Sequence, residues 1–85
     1  MTASDDVLAA VRAAIGEQAG LAGSEIDPEL PVRSFGLESL HVLRAVAQIE
    51  DLLGVAIPDD ALFDDLTPRA LAEVVVGLPR RVELP

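Results

Sequence analysis

The sequence predicts an all-α fold: a small four-helix bundle with three main helices, one short third helix and a long first loop. Apolar residues recur at helical spacing in three separate stretches, glycine or proline closes each stretch, and nowhere do apolar and polar residues alternate as in a half-buried strand. The chain has 85 residues and no cysteine. Neither a disulfide nor a thiolate metal site staples it, so its stability has to come from helix packing. One domain is expected over residues 1–85, with an ordered core at about 5–78 and a flexible tail at 79–85.

The first helix is expected to start at Ser4, a good N-cap, with Asp5 and Asp6 in the first turn where carboxylates meet the positive end of the helix dipole. Val7, Leu8, Val11, Ala14, Ile15 and Ala19 form its apolar face, Arg12 and Glu17 fall between them, and Gly20 ends it. From Gly20 to Glu38 the period disappears, and Gly23, Pro28, Pro31 and Gly36 punctuate the chain. About nineteen residues is longer than a loop normally runs without a function or a short turn of its own. Leu21, Ile26, Leu30, Val32 and Phe35 are its expected anchors to the core.

After Ser39 a helical run continues to about Leu53 and closes at Gly54, where glycine most easily takes a left-handed C-cap. Residues spaced about 100° apart put Val42, Ala45, Val46, Ile49, Leu52 and Leu53 on one core-facing stripe. Leu40 falls on the far side, beside Arg44, Ala47 and Asp51. Val55-Ala56-Ile57-Pro58 reads as an extended link, and Asp59, Asp60, Asp64 and Asp65 flank Leu62 and Phe63 in the short third helix. Thr67-Pro68 signals the last helix, an N-cap followed by proline at the first helical position, with Leu71, Val74, Val75 and Leu78 at helical spacing and Gly77 and Pro79 at its end.

Fifteen acidic residues stand against six arginines and no lysine, a formal charge of −9. Such a field repels nucleic-acid backbones and anionic membrane surfaces, and it steers a basic protein surface inward with an affinity that falls as salt rises. Met1 to Asp6 is polar and acidic where a signal peptide would be basic and then apolar, and no apolar run approaches the ~20 residues that span a bilayer. The expected location is cytoplasmic.

The stretch Phe35-Gly36-Leu37-Glu38-Ser39-Leu40 sets one hydroxyl between a glycine turn and the strongest helix. Its plain structural reading is that Ser39 is an N-cap. A serine hydrolase fits poorly: the second glycine of a nucleophile elbow is missing, and the only histidine, His41, is too close in sequence to face the serine from the same helix. No catalytic residue is assigned. No metal is expected either, because the acids at 59–65 lack the order of a calcium loop and His41, read as an exposed helix residue, has no cysteine or second histidine beside it. An exposed Leu40 next to that hydroxyl suits a serine that another protein finds and modifies, and a helix N-terminus favours a phosphate attached there.

Over about residues 5–78 the chain resembles the acyl and peptidyl carrier proteins, whose signature is leucine-glycine-x-aspartate-serine-leucine. Gly54-Val55-Ala56-Ile57-Pro58 and the stretch from Leu62 to Val75 follow at matching spacing. The resemblance implies that Ser39 carries a covalent 4′-phosphopantetheine arm derived from coenzyme A, within the motif Gly36, Leu37, Glu38 and Leu40, and that the arm's thiol holds cargo as a thioester. It implies a partner surface of Leu40, His41, Arg44, Ala47, Glu50 and Asp51, and cargo folded back near Val46 and Ile49. Glu38 replaces the family's aspartate, and His41 and Arg44 stand where fatty-acid carriers typically have acids, which implies a narrower set of dedicated partners.

The function so implied is a free-standing, monomeric carrier rather than an enzyme, passing acyl or aminoacyl thioesters in a polyketide or nonribosomal-peptide pathway of the antibiotic type. Its partners would be a phosphopantetheinyl transferase, a loading enzyme, and downstream acyltransferase, ketosynthase or condensation enzymes. Two other readings stay open: a carrier for primary fatty-acid synthesis, and an unmodified interaction module in which Ser39 is only a cap.

Overall fold

Apolar periodicity and capping signals organise the chain into three α-helices in the computed structural model, which describes residues 3–62 and 65–79. These are α1 (Ala3–Ala19), α2 (Ser39–Leu53) and α3 (Pro68–Gly77). Three single 3-10 turns, Gly23–Glu25, Val32–Phe35 and Asp59–Ala61, lie between them, with no strand among the described residues. The described part of α1 already includes Ala3, so Ser4 lies within the helix and not at the expected cap. Gly20, at φ +73°, ends it in the left-handed conformation that glycine adopts without a Cβ clash.

Helix α1 is the hub. It packs against both α2 and α3, which meet each other far less. Val7, Val11, Ala14 and Ile15 of α1, Ala45, Val46 and Ile49 of α2, and Leu71, Ala72 and Val75 of α3 form one core. Among the described residues its fully buried side chains are aliphatic, with Phe35 packed against them from outside, so close packing there comes from shape. Leu52 does not join it: although on the core side of the wheel, it is 64% exposed, because at the last turn of α2 no described element covers that edge of the stripe.

The long first loop is held at several points. Ile26 and Val32 are buried and Phe35 is half-buried, whereas Leu21 and Leu30, also expected as anchors, are exposed. The Arg12 guanidinium reaches from α1 to donate to the carbonyls of Ile26 (2.9 Å) and Ser24 (3.3 Å), which fixes the loop by its backbone. Gly16 is buried against the returning chain: its carbonyl accepts the Leu21 N–H at 2.8 Å. Further along, Val32 N–H donates to Leu66 O (2.7 Å) and Arg69 N–H to Pro28 O (3.0 Å), so the loop runs beside the approach to α3. The Arg69 side chain also pairs with Glu29, whose hydrogen bond and then charge hold the guanidinium above its ordinary pKa.

At the far end of α2, Gly54 takes φ +66° and its N–H returns to Glu50 O at 2.9 Å. The Glu50 carboxylate accepts the Ile57 N–H at 2.7 Å, fastening the extended link on which Val55 and Ile57 enter the core. The expected short third helix is, in its described part, one 3-10 turn: Ala61 and Leu62 N–H bond back to Pro58 and Asp59 at 3.1 and 3.0 Å, and extended backbone at Leu62 then ends it. Phe63 and Asp64, which the same expectation covered, lie outside the described residues. Helix α3 starts as anticipated, with Thr67 Oγ1 accepting the Ala70 N–H at 3.0 Å and buried Pro68 at the first helical position. Among the described residues no helix is long and apolar enough to cross a membrane.

Candidate functional site

Loop and helix meet at Gly36. Its φ of +76° turns the chain out of the Val32–Phe35 turn at little steric cost, with its N–H donating to Arg33 O at 3.2 Å. Glu38, in extended conformation, is the N-cap of α2: its carbonyl accepts the Val42 N–H at 3.0 Å, and its own N–H donates to Nδ1 of His41 at 3.3 Å. His41 is therefore a half-buried capping residue and not the freely exposed one expected, and its Nδ1 lone pair is engaged away from Ser39.

This arrangement moves Ser39 off the cap and onto the first helical position. Its side chain is exposed and has no hydrogen-bond partner among the described residues. The backbone N–H groups of Ser39 and Leu40 are likewise without acceptors among those residues, as first-turn amides are when no side chain reaches them. The plain capping reading of Ser39 thus gives way: Glu38 and His41 organise the helix start, and the hydroxyl makes no capping bond among the described residues.

Beside Ser39 opens a cleft of about 270 Å³. Val42 and Leu43 of α2 line one side, Leu62 and Leu66 another, and Val32, Leu37 and Arg33 complete it. Arg33 pairs with Asp65 at 3.0 Å, both side chains largely exposed. Val46 and Ile49, expected near bound cargo, are buried in the core and do not line this cleft. Among the described residues no three His, Cys, Asp or Glu side chains converge as a metal site would require.

The outward face of α2 carries Leu40 (56% exposed), Leu43 (52% exposed), Arg44, Ala47 and Asp51. Glu50, placed with them by resemblance, is half-buried and committed to Ile57. Leu43 was not singled out by the core stripe. A signal for it existed, since it stands four residues after Ser39 and so shares its helix face. Arg33, Leu62 and Leu66 lie in irregular segments, where periodicity has nothing to say about facing.

A family model described as the phosphopantetheine attachment site matches residues 9–75. The chain is similar to the granaticin polyketide synthase acyl carrier protein of Streptomyces violaceoruber, 36% identical over 67 residues that cover 76% of each chain. It is 34% identical over 76 residues to the actinorhodin polyketide synthase acyl carrier protein of Streptomyces coelicolor, covering 87% of this chain and 86% of that one. An acyl carrier protein of Myxococcus xanthus is 27% identical over 81 residues, 91% of this chain and 99% of the relative. No solved structure matches.

Proposed function

The chain belongs to the acyl carrier protein family, whose cofactor is covalent 4′-phosphopantetheine, and from that premise we propose that Ser39 is the attachment residue and that the cargo is an acyl thioester of polyketide type. The observation that carries the reading is the place of Ser39 at the first helical position, exposed and unpartnered among the described residues, with Glu38 and His41 taking the capping role.

The surrounding residues fit the group. A phosphodiester on the Ser39 oxygen would lie at the positive end of α2, near the N–H groups of Ser39 and Leu40. The neighbouring cleft offers apolar walls of Val42, Leu43, Leu62 and Leu66. When bound, the arm supplies a thiol on which cargo is held as a thioester. The protein's own residues present and orient: the left-handed turn at Gly36 brings the chain into Glu38, and the Glu38 to His41 hydrogen bond fixes the first turn on which Ser39 stands.

A carrier role rather than catalysis is supported by the family itself and by the engaged Nδ1 of His41, which leaves Ser39 without a base from that side. The polyketide assignment rests on the granaticin and actinorhodin synthase relatives and on His41 and Arg44 standing where fatty-acid carriers typically have acids. We assign recognition by the phosphopantetheinyl transferase and by synthase partners to the exposed face of Leu40, Leu43, Arg44, Ala47 and Asp51. Apolar contacts at its centre and charges at its rim are what a transient docking surface needs.

Intact-protein mass after incubation with coenzyme A and a broad-specificity phosphopantetheinyl transferase tests the attachment. Wild type is expected to gain one phosphopantetheine and Ser39→Ala none. A gain that survives Ser39→Ala refutes Ser39 as the site.

A further inference from the structure

Among the described residues Arg33 is the one cationic side chain lining the cleft that Ser39 also lines, and its described partner is a single exposed carboxylate, Asp65, at 3.0 Å. Among the described residues, everything else that lines the cleft is apolar or the serine itself. A guanidinium in this position is not explained by the core, since its side chain is 63% exposed, and an exposed ion pair of this kind contributes little to stability. Resting on the reading of Ser39 as the attachment residue, we propose that Arg33 exchanges Asp65 for the phosphodiester of the attached arm and so clamps the arm's base at the mouth of the cleft.

The chemistry favours the exchange. A phosphodiester keeps one negative charge throughout the physiological range, and it presents two oxygens that match the planar fork of a guanidinium better than they match an ammonium. Asp65 is a weak competitor: its side chain is 77% exposed and hydrated, whereas the phosphodiester is tethered to Ser39 and present at high effective concentration. The backbone of Arg33 is held by the Gly36 N–H on its carbonyl at 3.2 Å and by the neighbouring Val32 N–H on Leu66 O at 2.7 Å, so the exchange falls to its side chain. Its consequence is directional. An arm held at its phosphate by Arg33 starts toward Leu62 and Leu66, along the cleft, and away from the outward face of Leu40 and Ala47. Arg33 is thus a positioning residue for the arm, on the cleft side of Ser39.

The test compares holo wild type, Arg33→Gln and Arg44→Gln, each first confirmed by intact mass to carry the arm, and reads the phosphorus-31 resonance. Arg33→Gln is expected to shift that resonance, Arg44→Gln to leave it in place, and rising sodium chloride to move the wild-type resonance toward the Arg33→Gln position. A second reading needs no substitution: the Arg33 side-chain Nε–Hε signal of the wild-type protein is expected to move on conversion from apo to holo. Identical phosphorus resonances in wild type and Arg33→Gln, both carrying the arm, would overturn the clamp while leaving Ser39 as the attachment site. Failure of the wild type to gain the arm would instead overturn the attachment on which the clamp depends.

Discussion

Replacing Glu50 should cost far more stability than replacing its neighbour Asp51, although both are acids on the second half of α2. The Glu50 carboxylate accepts the Ile57 N–H at 2.7 Å in a partly buried setting, and Ile57 itself is only 6% exposed. Glu50→Ala removes a charged acceptor and strands that donor, a loss of about 2 kcal/mol on the scale of hydrogen bonds to charged groups. For a domain of this size each kcal/mol moves the midpoint by roughly 4–8 °C, so Tm should fall by about 8–16 °C. Glu50→Gln keeps an uncharged acceptor and should lose about half as much. The Asp51 side chain is exposed and makes no hydrogen bond or ion pair among the described residues, so Asp51→Ala should stay within about 0.5 kcal/mol of wild type. Thermal and urea unfolding followed by circular dichroism measures all three. If Glu50→Ala unfolds within that same margin, or Asp51→Ala is equally damaging, the fastening of the Val55–Pro58 link by Glu50 is wrong.

Two further outcomes follow from the fold. Gly16→Ala puts a methyl group 2.5 Å from the Leu21 carbonyl oxygen, which a backbone atom cannot easily avoid, so despite alanine's better helix propensity it should destabilise by about 1–3 kcal/mol; the same change at Gly77, with nothing within 4 Å, should be neutral or slightly stabilising in the same melt, and reversed signs would refute the close approach. Thr67→Ala removes the acceptor for the Ala70 N–H and should cost about 1 kcal/mol, read as a lower urea midpoint at an unchanged slope, while Thr67→Ser should restore most of it.

Much of the fold was legible because its signals are local. A cap, a proline at the first helical position or a left-handed glycine acts within one turn, so Thr67-Pro68, Gly20 and Gly54 marked their boundaries without knowledge of the rest of the chain. Helical periodicity likewise identified Val11, Ile15, Ile49 and Leu71 as core and Leu40 as exposed. It misplaced Leu52 because a wheel assumes a covering partner along the whole helix, and at the last turn of α2 there is none among the described residues. The candidate site was legible as a motif and not as a geometry. Ser-Leu before an apolar run looks like a cap to any local rule, yet the chain enters α2 one residue earlier, through Glu38 and the returning His41 side chain.

By itself, then, the sequence determined three helices, the C-terminal ends of the first two, the start of the last, a conspicuous serine and a family signature around it. Tertiary structure decided what that serine is free to do and what lies next to it. The contacts responsible join segments far apart in the chain: Arg12 with Ile26, Val32 with Leu66, and Arg33 with Asp65. None leaves a periodic trace, because each is made when packing of α1 against the other two helices closes the loops onto one another. A cleft between such loops exists only after that closure, which is why Leu43, Leu62 and Arg33 acquired meaning beside Ser39 only in three dimensions.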